Sequence, residues 1–212
     1  MMFASREDAG RRLGHYLREQ GIQADLVLGL PRGGVIVAAE VGHVLDLPLD
    51  VLIVRKIGHP WHREFAVGAM AEGGVVVLDK QAIGKNPLIR VELDQIIAEE
   101  RERLQAYQSR FRQEQLDLSG KTVLLVDDGL ATGLTTEAAV SSARKQGASK
   151  VIVAAPVAST NAVGRLRTVA DDVVALFVDP DFDAVGRYYD VFAQTTDEEV
   201  LDLLRAEATR DI

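Results

Sequence analysis

Apolar residues follow two alternating patterns along the chain. Short runs rich in β-branched residues are apolar at consecutive positions: DLVLGL (25–30), LDVLIV (49–54), VVVL (75–78), TVLLVD (122–127), KVIVAA (150–155) and VVALFV (173–178). Strands buried on both faces read this way, as in a parallel sheet. Between these runs the apolar positions recur at helical spacing. Residues 5–19 put Ala9, Leu13, Tyr16 and Leu17 on one face. Residues 90–114 put Leu93, Ile97, Leu104 and Phe111 on one stripe of a long charged helix. Residues 34–46 are apolar nearly all round, which predicts a deeply buried helix, and 134–146 and 160–170 are amphipathic. A last helix opens at Thr196-Asp197-Glu198-Glu199, a capping residue with acids in the first turn, and continues through Leu201 and Leu204. Strand–helix alternation of this kind predicts an α/β fold with a mostly parallel central sheet flanked by helices.

Two stretches break the alternation. Residues 55–73 show no helical period and contain His59, Pro60, Trp61 and His62. They read as a long loop, and such loops in a domain are usually functional or disordered. Residues 179–195 gather Phe182, Tyr188, Tyr189 and Phe192 outside any clear strand or long helix. They read as a small hood, built together with the N-terminal residues. The expectation is one domain over 1–212.

Composition narrows the function. The 212 residues are 47% hydrophobic and 26% charged, ordinary globular usage that excludes a disordered chain. The net charge is -8, and neither the first 120 residues nor the remaining 92 carry a positive balance. A nucleic-acid partner, which needs a basic face, is therefore not expected. Absence of cysteine excludes disulfides, thiolate metal sites and a cysteine nucleophile. The four histidines form no ligand-spaced set. No apolar run approaches the roughly 20 residues that span a bilayer. The stretch MMFASREDAGRRL lacks an apolar signal core. A cytoplasmic protein with no membrane association is expected, and a homo-oligomer is left open.

In open α/β sheets ligands bind beyond the carboxyl ends of the strands. After TVLLV comes Asp127-Asp128-Gly129-Leu130-Ala131-Thr132-Gly133-Leu134-Thr135-Thr136, then a helix. Two strand-end carboxylates can accept from vicinal sugar hydroxyls or help to hold a divalent metal. The glycines allow close backbone approach, and the helix N-terminus offers N–H groups to a phosphate. Taken alone the segment is also an Asp-Gly turn before a Thr-capped helix. Adjacent acids joined to TGxT behind an apolar strand favour a ribose-phosphate site. Walker-type GxxxxGK[ST], strand-following GxGxxG and GxSxG motifs are absent. After the first strand, Leu30-Pro31-Arg32-Gly33-Gly34 opens a helix with glycines and an arginine fork. It reads as a second anion site or as a plain βα turn with a surface arginine. After the second strand, Arg55 and Lys56 are adjacent cations, costly without an anion to face.

VLLVDDGLATGLT (123–135) resembles the phosphoribosyl pyrophosphate signature of type I phosphoribosyltransferases, and the order of the other parts agrees over most of 25–178. The resemblance implies that Asp127 and Asp128 hold the ribose hydroxyls. It places the 5′-phosphate on the turn from Gly129 to Thr136, chiefly Ala131, Thr132, Gly133 and Thr135. It makes Pro31, Arg32 and Gly33 a pyrophosphate turn, with Arg55 and Lys56 as further pyrophosphate contacts. Residues 57–70 would be a flexible lid, with His62 and Arg63 able to approach the ligand. The implied reaction passes phosphoribose from phosphoribosyl pyrophosphate to a ring nitrogen of a base and releases pyrophosphate. Catalytic work falls to Arg32, Lys56 and Asp128. Mg²⁺ is held mainly by the substrate, with help from Asp127 and Asp128 and no tight protein-only site.

Two clues to the acceptor disagree. Ala131 stands where enzymes of 6-oxopurines generally carry a carboxylate, and DDxxATGxT with RKIGHP (55–60) looks closer to adenine-type enzymes. Yet Phe182 to Asp190 is similar to the base-binding hood of 6-oxopurine enzymes, so Phe182, Tyr188 and Asp190 are base-binding candidates; a packed aromatic cap is the other reading. The whole pattern looks most like a bacterial branch of the superfamily. Two competing functions remain: a non-catalytic sensor of phosphoribosyl pyrophosphate or nucleotide, and a phosphatase, whose acids are usually spaced DxD rather than adjacent.

Overall fold

The structure, a computed structural model, describes residues 3–84, 87–112 and 116–208. Met1 and Met2 of the expected hood, positions 113 and 114 of the expected long helix and 209–212 of the expected domain lie outside these residues. In chain order the elements are α1 (Arg6–Glu19), β1 (Leu26–Gly29), α2 (Gly33–Leu45), β2 (Leu49–Val51), β3 (Val54–His59), β4 (His62–Ala71), β5 (Val75–Leu78), α3 (Lys80–Ile83), α4 (Pro87–Phe111), β6 (Thr122–Val126), α5 (Leu134–Lys145), β7 (Lys150–Ser159), α6 (Thr160–Leu166), β8 (Asp172–Asp179) and α7 (Asp197–Ala208).

Five strands form a parallel sheet in the order β2-β1-β6-β7-β8. The apolar runs explain it, because side chains on both faces meet helices. Leu13 and Leu17 of α1 and Val37 and Val41 of α2 pack with Val27, Leu124 and Val126 on one face. Ala139 and Ala143 of α5 and Leu166 of α6 pack with Leu28, Leu125 and Val153 on the other. Each fully buried leucine here contributes about 1.5–3 kcal/mol of burial. Between β1 and β6 the chain order reverses, so the crevice beyond their carboxyl ends is the topological switch point.

The stretch read as a long loop is instead an antiparallel hairpin. β3 and β4 pair from Val54↔Ala71 to His59↔His62, and β5 completes a separate sheet in the order β3-β4-β5. VVVL therefore lies outside the parallel sheet. A register shift beside Gly58 hid the hairpin, since it interrupts the period-two alternation on which strand reading depends. Gly58 is required there: a Cβ would stand 2.4 Å from the Arg63 carbonyl oxygen.

The run 49–54 also splits. Leu52 still donates to the Gly29 carbonyl, but the Ile53 N–H goes to the buried Glu72 carboxylate at 2.6 Å, and the chain crosses into the second sheet. Glu72 is held in turn by Arg112. α4 packs on this sheet through Leu93, Ile96 and Leu104, with Ile53, Ile57, Val67 and Met70, and Val200 of α7 joins the same cluster.

The 179–195 segment folds against the chain's first described residues. Phe3 bridges Tyr189, with Phe3 N–H to the Tyr188 carbonyl and Asp190 N–H to the Phe3 carbonyl, both 2.8 Å. Phe3, Val157, Tyr188 and Tyr189 form a small core with Phe182 packed on it. Among the described residues no helix is long and apolar enough to cross a membrane.

Candidate functional site

Two turns meet at the switch point, one after β1 and one after β6. The first runs through Pro31, Arg32 and Gly33 into α2, and its Pro31–Arg32 peptide is cis. A Cβ on Gly33 would stand 2.1 Å from Asp128 Oδ2, and one on Gly34 would stand 2.9 Å from Asp127 Oδ1. The two glycines are what let this turn lie directly on the acid pair.

Asp127 and Asp128 close β6. Asp127 Oδ1 accepts from the Asp128 N–H at 2.8 Å, and Asp128 Oδ2 accepts from Arg6 Nε at 2.8 Å. Asp127 Oδ2 and Asp128 Oδ1 accept from no N–H donor among the described residues, and the two carboxyls lie within hydrogen-bond reach of each other. Burial, then the neighbouring Asp128 charge, pushes the Asp127 carboxyl well above the usual carboxylate range, against the Asp128 N–H and the positive charge of Lys56. Two adjacent acids suit hydroxyl donors or a cation carried in by a ligand. No group of three metal-ligating side chains occurs among the described residues.

The turn after the acids is fixed from behind. Leu130 N–H donates to the Val157 carbonyl at 2.9 Å, and Ser159 N–H donates to the Leu130 carbonyl at 2.8 Å. Ser159 Oγ donates to the Ala131 carbonyl at 2.6 Å, and the Gly133 carbonyl accepts from Glu137 at 2.8 Å. The N–H groups of Ala131, Thr132 and Gly133 donate to nothing among the described residues, and Ala131 and Thr132 are exposed. Gly133 adopts φ 76°, a left-handed conformation that favours glycine, and caps α5. Thr132 Oγ1 accepts from Leu134 N–H at 3.4 Å, and Thr135 is half-buried. Free N–H groups at the start of a twelve-residue helix form an oxyanion cradle.

The basic residues are dispersed. Strand alternation sends Arg55 and Lys56 to opposite faces of β3. Arg55 pairs with Glu100 of α4 at 2.6 Å, and Lys56 stays exposed, its charge acting on Asp127. Burial opposes ionisation of Glu100, but Arg55 and Arg103 outweigh it and hold the carboxyl below its usual range. Arg32 lies 3.9 Å from Asp197, which also accepts from Tyr107 at 2.7 Å and Arg110 at 2.6 Å. On the hairpin His59 is buried and His62, Arg63 and Trp61 are exposed. Of the base-binding candidates, Tyr188 is buried, stacks on Phe182 with ring centroids 5.3 Å apart and donates to Asp179 at 2.6 Å. Phe182 is half-buried and Asp190 exposed.

Sequence reading missed Arg6, Tyr189 and Asp197. Arg6 binds Asp128; Tyr189 donates its hydroxyl to the Asp128 carbonyl at 2.6 Å, and burial with the Asp128 charge pushes that hydroxyl's pKa up. Ser5 and Asp8 signal the start of α1, but nothing local signals that its first residue reaches a turn 122 positions away.

Comparison with known proteins gives one family. The model of the phosphoribosyl transferase domain matches residues 4–186. A Mycobacterium tuberculosis H37Rv protein named "Putative phosphoribosyl transferase Rv0571c" is 43% identical over 205 residues, covering 96% of this chain and 46% of that protein. The chain thus spans about half the length of the curated relatives it matches. The crystal structure of TT1426 from Thermus thermophilus is 45% identical, with a TM-score of 0.80 and coverage of 96% of this chain and 98% of that one. The AQ2163 protein from Aquifex aeolicus shares the fold at 14% identity, with a TM-score of 0.50 over 95% of this chain and 85% of that chain.

Proposed function

Because the chain belongs to the phosphoribosyl transferase family, we propose that it moves the phosphoribosyl group of phosphoribosyl pyrophosphate to a nitrogen of a nucleobase-like acceptor and releases pyrophosphate. The observation that carries this reading is the acid pair. Asp127 and Asp128 stand side by side at the strand end with no N–H donor on Asp127 Oδ2 or Asp128 Oδ1 among the described residues, and the pair runs without a break into a turn of free N–H groups.

In this reading Asp127 and Asp128 accept from the ribose hydroxyls, and Ala131, Thr132, Gly133 and Thr135 hold the 5′-phosphate. The pyrophosphate lies on Pro31, Arg32 and Gly33, with Lys56 reaching it from β3. Arg55 joins only by leaving Glu100. As the bond to the anomeric carbon breaks, positive charge grows on the ribose and negative charge on the leaving group. Fixed acids and cations on the two sides stabilise both. Mg²⁺ suits two adjacent carboxylates and would supply charge neutralisation of the pyrophosphate when bound. Asp127 and Asp128 are the residues that would help to hold it. The hairpin serves as a lid that excludes water, the competing nucleophile. Phe182 and Asp190 are better placed than Tyr188 to meet a base, since Tyr188 is committed to the segment's own core.

Calorimetric titration with phosphoribosyl pyrophosphate and Mg²⁺, followed by a pyrophosphate-release assay with a panel of bases, tests the proposal. Saturable binding with release is expected for at least one base. Binding without release for any base would favour a sensor, and no binding at millimolar ligand would remove the ribose-phosphate reading. The double substitution Asp127→Asn with Asp128→Asn should cut affinity roughly a hundredfold without unfolding the chain, two charge-assisted bonds being lost.

A further inference from the structure

Arg6 is the most constrained cation near the acid pair, and the reaction outlined above gives it no part. It is the first residue of α1, behind a Ser5 cap, and only 8% exposed. Its Nε donates to Asp128 Oδ2 at 2.8 Å and its Nη1 to the Ala193 carbonyl at 2.8 Å. Its guanidinium carbon lies 3.9 Å from the centre of the Phe192 ring. Three restraints from two distant parts of the chain fix one planar group.

Asp128 is held as firmly. Tyr189 donates to its carbonyl at 2.6 Å, so main chain and side chain are both tied to the segment around 189–193. The Arg6–Asp128 pair also lies across the pyrophosphate turn, because a Cβ on Gly33 would meet Asp128 Oδ2 at 2.1 Å and Arg6 Nε at 2.6 Å. With Oδ2 taken by Arg6, Oδ1 is the oxygen left to accept from a hydroxyl.

We propose that Arg6 is a positioning residue of the ribose site: it orients Asp128 so that Oδ1 accepts from a sugar hydroxyl, and it links that orientation to residues 189–193. The inference rests on the ribose-phosphate reading above. Arg6 touches no reacting atom; it acts through Asp128. A carboxylate free to rotate would lose orientation and hydrogen-bond to water instead. The Arg6 guanidinium compensates its charge in a partly buried place.

The test compares two probes, ribose 5-phosphate and inorganic phosphate, by calorimetry on the full chain. The wild type should bind ribose 5-phosphate more tightly than phosphate. Arg6→Met keeps an unbranched stem against Phe192 and removes the charge. It should weaken ribose 5-phosphate roughly tenfold, the worth of one charge-assisted orientation, and change phosphate less than twofold. Arg6→Lys should recover part of the loss. A purely structural role would weaken both ligands together, so equal losses, or none, would overturn the proposal. A wild type with no preference for ribose 5-phosphate would sink the ribose reading itself, and this inference with it. If Arg6→Met does not fold, Arg6→Lys and Tyr189→Phe carry the test. Each should shift the same ratio in the same direction by a smaller factor, and an unchanged ratio in both would refute the role.

Discussion

The two sheets place functional residues in opposite ways. The parallel sheet is buried on both faces and delivers the acid pair and both anion turns from strand ends that cannot shift without disturbing the core. The antiparallel sheet is covered by α4 on one face and by α5 on the other where its three strands pair, but the far end of its β3–β4 hairpin projects Trp61 at 52% and Phe65 at 57% exposure. It delivers Lys56 and Arg55 from the middle of a strand, where alternation turns one toward the site and the other toward Glu100. In the proposed reading one region is a fixed cradle and the other an adjustable cover. In that reading ribose and 5′-phosphate would be held still through the reaction, whereas the pyrophosphate would enter and leave.

If that contrast is right, the largest difference is in stability. Leu124→Ala, at a fully buried position of β6, should cost about 2–5 kcal/mol in urea unfolding. Trp61→Ala should stay within about 0.5 kcal/mol, as exposed substitutions do. Comparable losses would mean that the hairpin is as much core as the parallel sheet. Next in size is ligand preference. Lys56→Met should weaken pyrophosphate roughly tenfold by calorimetry while ribose 5-phosphate changes less than twofold. A loss shared by both ligands would place Lys56 in the cradle instead of the cover.

The smallest effect is a difference in sign. Asp127 is raised in the folded state, chiefly by burial, so its stabilising contribution is complete below the unfolded carboxylate value and declines as pH rises through the folded one. Glu100 is lowered, because Arg55 and Arg103 outweigh its burial. Its contribution is complete above the unfolded value and is lost as pH falls through the folded one. Asp127→Asn should therefore flatten a decline in stability on the alkaline side of the carboxylate range, and Glu100→Gln should flatten a loss on the acid side. Slopes that change alike in the two variants would remove the distinction.

The same contrast marks what could be read from sequence. The strands of the parallel sheet are continuous apolar runs because both faces are covered, and the acid pair, the glycines and the threonines follow one another locally, so fold and cradle were legible together. The hairpin was not, because the shift at Gly58 breaks its alternation and its far end exposes Trp61, His62, Arg63 and Phe65 without a simple pattern. Nor was the division between Arg55 and Lys56, which depends on recognising their segment as a strand. Arg6, Tyr189 and Asp197 were invisible for another reason. Their roles arise only where distant segments meet, and a residue type alone does not report what the fold brings beside it.

The turn after the acid pair has spent its carbonyls on its own support. Leu130, Ala131 and Gly133 each give their oxygen to Ser159 or Glu137, while the N–H groups of Ala131, Thr132 and Gly133 have no partner among the described residues, and the Thr132 and Thr135 hydroxyls beside them can donate or accept. If, as proposed, a phosphate monoester sits here, its doubly ionised form presents acceptors alone to those N–H groups, whereas a form that still carries a proton must turn its own donor to a threonine hydroxyl. Binding would then strengthen as pH rises through the second ionisation of the ligand, near pH 6 for a phosphate monoester, and sulfate, which has no proton to shed at that pH, would show no such rise.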